Sequence, residues 1–269
     1  MRFLAPSLDE STSTKMKHYL LLTCLLLLAA CGKKNDGNPG SEQPPKVDPP
    51  QQVGGVTQKT ETSGGITYRV FTKDGAASYK GILVVGSGNN ENDPTPGALD
   101  GAAETDLCQT AAKDGYLTAI VQYQKTKGNA DWNGSAALIA QDYDKCIRAL
   151  STKYGVVKEK SAVAGFSYAS FMLLTDITVN TTLSYTKGVL AACGGADTWK
   201  AEHFKIPVFS INCSGNNEGD FNGKALYDQI PANSPIKVQS GGVTDNSCNT
   251  HCGGNWTQQM NAKLKTWVQ

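Results

Sequence analysis

Short, largely apolar runs recur along this 269-residue chain, separated by stretches with helical spacing. Residues 81–85 (Gly-Ile-Leu-Val-Val) are one such run, and 117–123, 161–165, 188–193, 208–213 and 236–239 are others. A strand covered on one face alternates apolar and polar residues, as 66–72 does, whereas a continuous apolar run suits a strand buried on both faces. Between the runs lie helix-like segments at 102–113, 136–154, 224–230 and 256–268. The clearest is 136–154, where Leu138, Tyr143, Cys146, Ile147 and Leu150 recur at the spacing of one helix face. This alternation predicts an α/β fold, a mostly parallel sheet with helices on both faces. Ligands of such sheets bind beyond the carboxyl ends of the strands, so the segment after each strand is where chemistry is sought.

Apolar residues make up 39% of the chain and charged residues 18%, enough to build a core and too little charge for a wholly disordered chain. Lys and Arg number 25 against 24 Asp and Glu, without the basic excess of a dedicated nucleic-acid binder. The longest apolar run is 19–30 (YLLLTCLLLLAA), short of the roughly 20 residues that span a bilayer. Lys15 and Lys17 precede it and Cys31 follows, the layout of a secretory signal peptide over 1–30. Met16 is a more natural start than Met1, because the residues before it fit no signal pattern.

The end of that run, Leu28-Ala29-Ala30-Cys31, resembles the bacterial lipobox. The resemblance implies cleavage before Cys31, acylation of its thiol (by palmitate or a similar chain) and of its new amino group, and a lipid-anchored protein of the cell envelope. Gly32 follows the cysteine; an Asp there favours inner-membrane retention in enteric-type sorting, so the outer membrane is expected. Cleavage removes three basic residues (Arg2, Lys15, Lys17) and two acidic ones (Asp9, Glu10), leaving 22 of each sign and little steering by net charge. Five prolines, Pro39, Pro44, Pro45, Pro49 and Pro50, then crowd among Gly, Gln, Ser and Lys. A disordered tether over 31–64 is expected, holding one globular domain, 65–269, off the membrane.

Within that domain, Gly165-Phe166-Ser167-Tyr168-Ala169 passes from a strand to a helix and matches the G-x-S-x-[G/A] nucleophile elbow. Small residues at 165 and 169 let strand and helix approach around the serine. Here the chain resembles the α/β-hydrolase family, over about 66–269: the long helix, the Lys153-Tyr154-Gly155 turn, the short strand and the serine elbow follow in that family's order. Ala169 departs from the pattern, where Gly is usual. The resemblance implies a serine hydrolase, with Ser167 as nucleophile and no cofactor or metal.

An activated serine needs a base, usually His. Three histidines exist: His18 leaves with the signal peptide, and His203 precedes the strand at 208–213 and belongs at the far end of the sheet. His251, after the last strand and before the last helix, stands where the family places its base. The family's acid follows the strand at 208–213, where Glu218 and Asp220 both qualify and are not separable; Asp245 is a remoter choice. The chain order Ser, Asp or Glu, His is the α/β-hydrolase order. For the oxyanion, the family uses the amide after the serine, here Tyr168, and one from the loop after 82–85, where Ser87 is expected and Gly88 comes next.

Two loops echo one another: Ser87 to Asp93 and Ser214 to Asp220 differ at one position in seven. Turn chemistry accounts for such residues; a hard-cation site is the sharper alternative. Besides Cys24 and Cys31 there are six cysteines, an even count that suits disulfides in an exported protein and permits fifteen complete pairings. Cys193 and Cys213 end neighbouring strands, while Cys248 and Cys252 bracket His251 and suit a staple for its loop; zinc at Cys248, His251 and Cys252 is a weaker alternative, lacking a second ligand pair. The short connection from Cys193 to Val208 leaves no room for a cap domain, so the site should be open to large or polymeric esters, as in cutinases and dienelactone-hydrolase-like esterases. Trp132, Trp199 and Tyr168 could line it, or simply pack. A monomer is expected. An amidase or peptidase with the same triad, and a non-catalytic envelope protein retaining the fold, stay open.

Overall fold

The computed structural model describes residues 49–197, 200–215 and 222–269. The expected signal peptide, Cys31, the tether up to residue 48, Trp199, Glu218 and Asp220 lie outside the described residues. Among the described residues, nine strands, β1 (Gln51–Val53), β2 (Val56–Ser63), β3 (Ile66–Lys73), β4 (Ile82–Gly86), β5 (Leu117–Val121), β6 (Ser161–Phe166), β7 (Val189–Ala192), β8 (Val208–Cys213) and β9 (Gly241–Asp245), form one sheet. Its order is β1-β2-β3-β5-β4-β6-β7-β8-β9. β1, β2 and β3 pair antiparallel, β3 is antiparallel to β5, and the strands from β5 across to β9 are all parallel.

The apolar runs are central strands because both of their faces are covered. In β4, Ile82 and Val84 join one core cluster and Leu83 and Val85 the other, all four buried. Helices α2 (Trp132–Tyr154), α3 (Tyr168–Val179) and α4 (Gly223–Gln229) contribute to the first cluster. Helices α1 (Ala102–Lys113) and α5 (Thr257–Trp267) contribute to the second. Each Leu, Ile or Val so buried is worth about 1.5–3 kcal/mol before entropy is charged. Helix α2 starts four residues before the expected Ala136, because the Asp131 side chain caps it by accepting from Gly134 N at 2.9 Å. It stops at Gly155, whose φ of 69° is left-handed and costs little without a β-carbon.

Two boundaries depart from the sequence reading. The tether does not reach residue 64: β1 and β2 occupy 51–63 and extend the sheet. Paired glycines make the turns, with φ of 58° and 82° at Gly54 and Gly55 and 63° and 75° at Gly64 and Gly65. Positive φ at both central residues is what a tight two-residue hairpin needs, and Val53 pairs Val56 while Ser63 pairs Ile66 across them. Proline crowding conceals this up to Pro50; the β-branched Val56, Thr57, Thr60 and Thr62 after it were the available signal.

The last strand is β9, not 236–239, where Lys237–Gln239 form a short 3-10 turn. Gly241 and Gly242 look like turn residues. A β-carbon on Gly242 would stand 2.6 Å from Tyr227 Cβ and against the Gly223 carbonyl, so α4 lies too close to the strand for any side chain there. Among the described residues, no helix is long and apolar enough to cross a membrane.

Candidate active site

Ser167 stands between β6 and α3 with φ 49° and ψ −117°. A left-handed φ at a non-glycine residue costs of order 1–3 kcal/mol and persists only where its surroundings enforce it. The enforcement comes from close approach. A β-carbon on Gly165 would lie 2.6 Å from Ala169 C and 2.7 Å from Ser170 Cα, both backbone atoms of the first turn of α3. One on Gly194, just past β7, would lie 2.5 Å from the Ser167 carbonyl oxygen. Ala169 is wholly buried and still fits where Gly is usual. The sharp turn lifts Ser167 above the carboxyl ends of β4, β6 and β7.

His251 lies on the turn between β9 and α5, and its Nε2 is 2.7 Å from Ser167 Oγ. Serine and histidine, 84 residues apart in the chain, therefore share one hydrogen bond at the place where the sheet topology directs a ligand. Although His251 is exposed as a residue, partial desolvation of its ring holds the imidazole below its ordinary pKa, which favours the neutral, proton-accepting form. His203 ends a 3-10 turn, Lys200–His203, that precedes the amino end of β8.

Two disulfides fasten the histidine turn to the sheet. Cys193, following β7, pairs with Cys252, and Cys213, the last residue of β8, pairs with Cys248, with Cα separations of 5.1 and 5.0 Å. The staple expected around His251 thus runs to two neighbouring strands rather than across the turn. It also consumes the sulfurs that a zinc site would need. Cys108 and Cys146 are buried thiols in clusters on opposite faces of the sheet, which explains why they do not pair.

Asp245, the remoter choice of acid, is committed elsewhere. One carboxylate oxygen accepts from Ser247 N at 2.8 Å and Ser247 Oγ at 2.6 Å, and the other from Trp256 Nε1 at 2.9 Å. These bonds lower its pKa and hold the two ends of the histidine turn.

In the loop after β4, Ser87 is buried; its Oγ accepts from Ala98 N at 2.8 Å and its carbonyl accepts from Tyr123 OH at 2.9 Å. Gly88 is the residue set against Ser167: a β-carbon there would be 3.1 Å from Ser167 Cβ. Tyr168 opens α3, so its amide is one of the helix's unpaired N-terminal donors. Its ring is buried, and its hydroxyl shares a 2.7 Å hydrogen bond with Thr126 Oγ1. Trp132 meets Phe171 edge-on at 4.9 Å between centroids, and both are half-buried beside the elbow. Tyr168 therefore packs, while Trp132 keeps an open edge.

Behind the loop, burial raises the Glu104 carboxyl pKa, moderated by its own amide and that of Gly88. Sequence reasoning missed this residue; an acid in the first turn of a helix was its only signal. The loop echo is turn chemistry in its first copy. Asn89 Oδ1 accepts from Asn90 N and Thr95 N, Asn90 Oδ1 from Asn92 N, and Asn92 Oδ1 from Asn129 Nδ2. The second copy runs into residues outside those described.

The sheet order, with antiparallel strands on one flank and the β5-β4-β6-β7-β8-β9 parallel run carrying a serine elbow after β6, decides the fold. It is the α/β-hydrolase fold. Solved structures bear the same architecture. A cold-adapted esterase from an Arctic intertidal metagenomic library superposes with a TM-score of 0.59 at 11% identity, over 82% of this chain and 97% of that one. The dienelactone hydrolase-like promiscuous phosphotriesterase P91, from metagenomic libraries, gives 0.52 at 14% identity, over 80% and 100%. Dipeptidyl peptidase 4 of Porphyromonas gingivalis gives 0.55 at 13% identity, over 82% of this chain and 36% of that one. No protein-family model matches the sequence, and no curated protein does. At these identities the α/β-hydrolase likeness is one of fold, and what this chain does must be read from its own site.

Proposed function

We propose that this protein is an exported lipoprotein serine hydrolase that cleaves carboxylic esters through an acyl-serine intermediate. The 2.7 Å contact between Ser167 Oγ and His251 Nε2, at a strained elbow over the strand ends, carries the reading. His251 takes the Ser167 proton as Oγ attacks the ester carbonyl, then returns it to the departing alcohol. The negative charge on the carbonyl oxygen is met by the Tyr168 amide and an amide of the Ser87-Gly88 loop. Water, activated by His251, then releases the acid and regenerates Ser167. Glu218 or Asp220, both downstream of β8, holds the imidazole and stabilises its protonated form.

A short β7–β8 connection, with no cap domain between them, supports an open site for large or polymeric esters. Ester substrates from p-nitrophenyl acetate to long-chain acyl and polyester substrates test the reading. Turnover by the full chain that vanishes in Ser167→Ala is the expected result, and a folded chain inert to every ester would count against it.

Lipid attachment at Cys31 and an outer-membrane location belong to the same proposal. Palmitate incorporation in a bacterial host, lost in Cys31→Ala, is the expected result.

A further inference from the structure

Residues 249–255, which carry His251, form an exposed turn between β9 and α5. Asn249, Thr250, His251, Gly253 and Asn255 are all exposed. Among the described residues, the hydrogen bonds of this segment, those of His251 apart, stay within it or end on the adjoining Thr257. Gly253 N donates to Thr250 O at 3.0 Å, and Thr257 N donates to Asn255 Oδ1 at 3.4 Å. Within residues 249–255 the covalent tie to the sheet is Cys252; the other disulfide, at Cys248, anchors the chain just before them.

The partner, Cys193, follows the strand that pairs with β6, so the bond links the histidine turn to the neighbour of the serine's own strand. Ser167, Cys193 and Cys252, with φ of 49°, 47° and 51°, are the non-glycine residues of positive φ among those described. All three belong to this one crosslinked constellation. Such conformations persist only where something enforces them.

The second disulfide has a different setting. Cys213 and Cys248 lie outside the exposed turn, where Ser214 N donates to Asp245 O at 2.8 Å and Ser214 Oγ to Cys248 O at 3.4 Å. Asp245 binds Ser247 and Trp256 at the same place. That junction keeps several hydrogen bonds if its disulfide is lost.

We infer that Cys193–Cys252 is a positioning crosslink, which sets His251 Nε2 against Ser167, while Cys213–Cys248 serves the stability of the fold. This rests on the serine-hydrolase reading only for its kinetic consequence. A displacement of about 1 Å in a reacting group costs on the order of a hundredfold in rate.

The test compares the full chain with two paired variants, Cys193→Ala/Cys252→Ala and Cys213→Ala/Cys248→Ala, each checked for folding by circular dichroism. The expected result is that the first pair lowers kcat about a hundredfold at little changed KM, while the second keeps kcat within about threefold but melts earlier. A folded first pair with wild-type kcat, or an equal kcat loss in both pairs, would overturn the inference. The imidazole NMR spectrum supplies a readout free of turnover, since the chain has only three histidines. The His251 ring signals should shift and narrow in the first pair and hold in the second. An inert wild type that still shows this contrast would remove the esterase reading and leave the positioning role standing; unchanged His251 signals in the first pair would remove the latter.

Discussion

Gly165→Ala puts one methyl group at the point where strand β6 and helix α3 meet. The new carbon would lie 2.6 Å from Ala169 C and 2.7 Å from Ser170 Cα, against the roughly 3.5–4.0 Å of a relaxed carbon–carbon contact. Backbone atoms on both sides leave no side chain to swing aside, so the first turn of α3 must retreat by about 1 Å. Overpacking of this kind costs about 1–3 kcal/mol, and at roughly 2–4 °C per kcal/mol for a domain of this size the melting temperature should fall by about 2–12 °C. Ser167 moves with the turn, so kcat/KM on p-nitrophenyl acetate should fall about a hundredfold in protein that is still folded.

Gly155→Ala is the companion. No atom lies within 4 Å of its β-carbon, but φ is +69°, so the cost is a left-handed alanine of about 1 kcal/mol with turnover unchanged. A Gly165→Ala protein with wild-type melting and wild-type kcat/KM would refute the claim that close packing at 165 positions Ser167.

Because burial lowers the His251 pKa, its protonated, inactive form is confined to lower pH, and the acid limb of kcat/KM should have its midpoint below 6.5; a midpoint at 7 or above would contradict this. Of Glu218→Gln and Asp220→Asn, one should lower kcat by several orders of magnitude, as loss of a triad acid does, and the other should stay near wild type; two neutral outcomes would remove both as the acid.

Much of this architecture is legible in the sequence because its signals are local. The all-apolar runs identify β4 to β8, and the small residues around Ser167 identify the elbow. His251 follows from a short roll of histidines and its place after the last strand. What escapes is what depends on close neighbours. β9 hides behind Gly241 and Gly242, whose bareness reflects the packing of α4 rather than a turn. β1 and β2 hide behind proline crowding, though the paired glycines were hairpin turns in plain view. The disulfide pairing needs the order of β7 and β8 and the path of the histidine turn together. Glu218 and Asp220 stand two positions apart in the sequence, and residue type alone does not divide them.

The central claim is that Ser167 is an activated nucleophile. Treating the full chain with a fluorophosphonate and mapping the adduct by peptide mass spectrometry tests it most directly. Adduct on Ser167 in the wild type, absent in Ser167→Ala and strongly slowed in His251→Ala, is the expected result. Folded wild-type protein that takes up no probe, or takes it up equally in His251→Ala, would contradict the account.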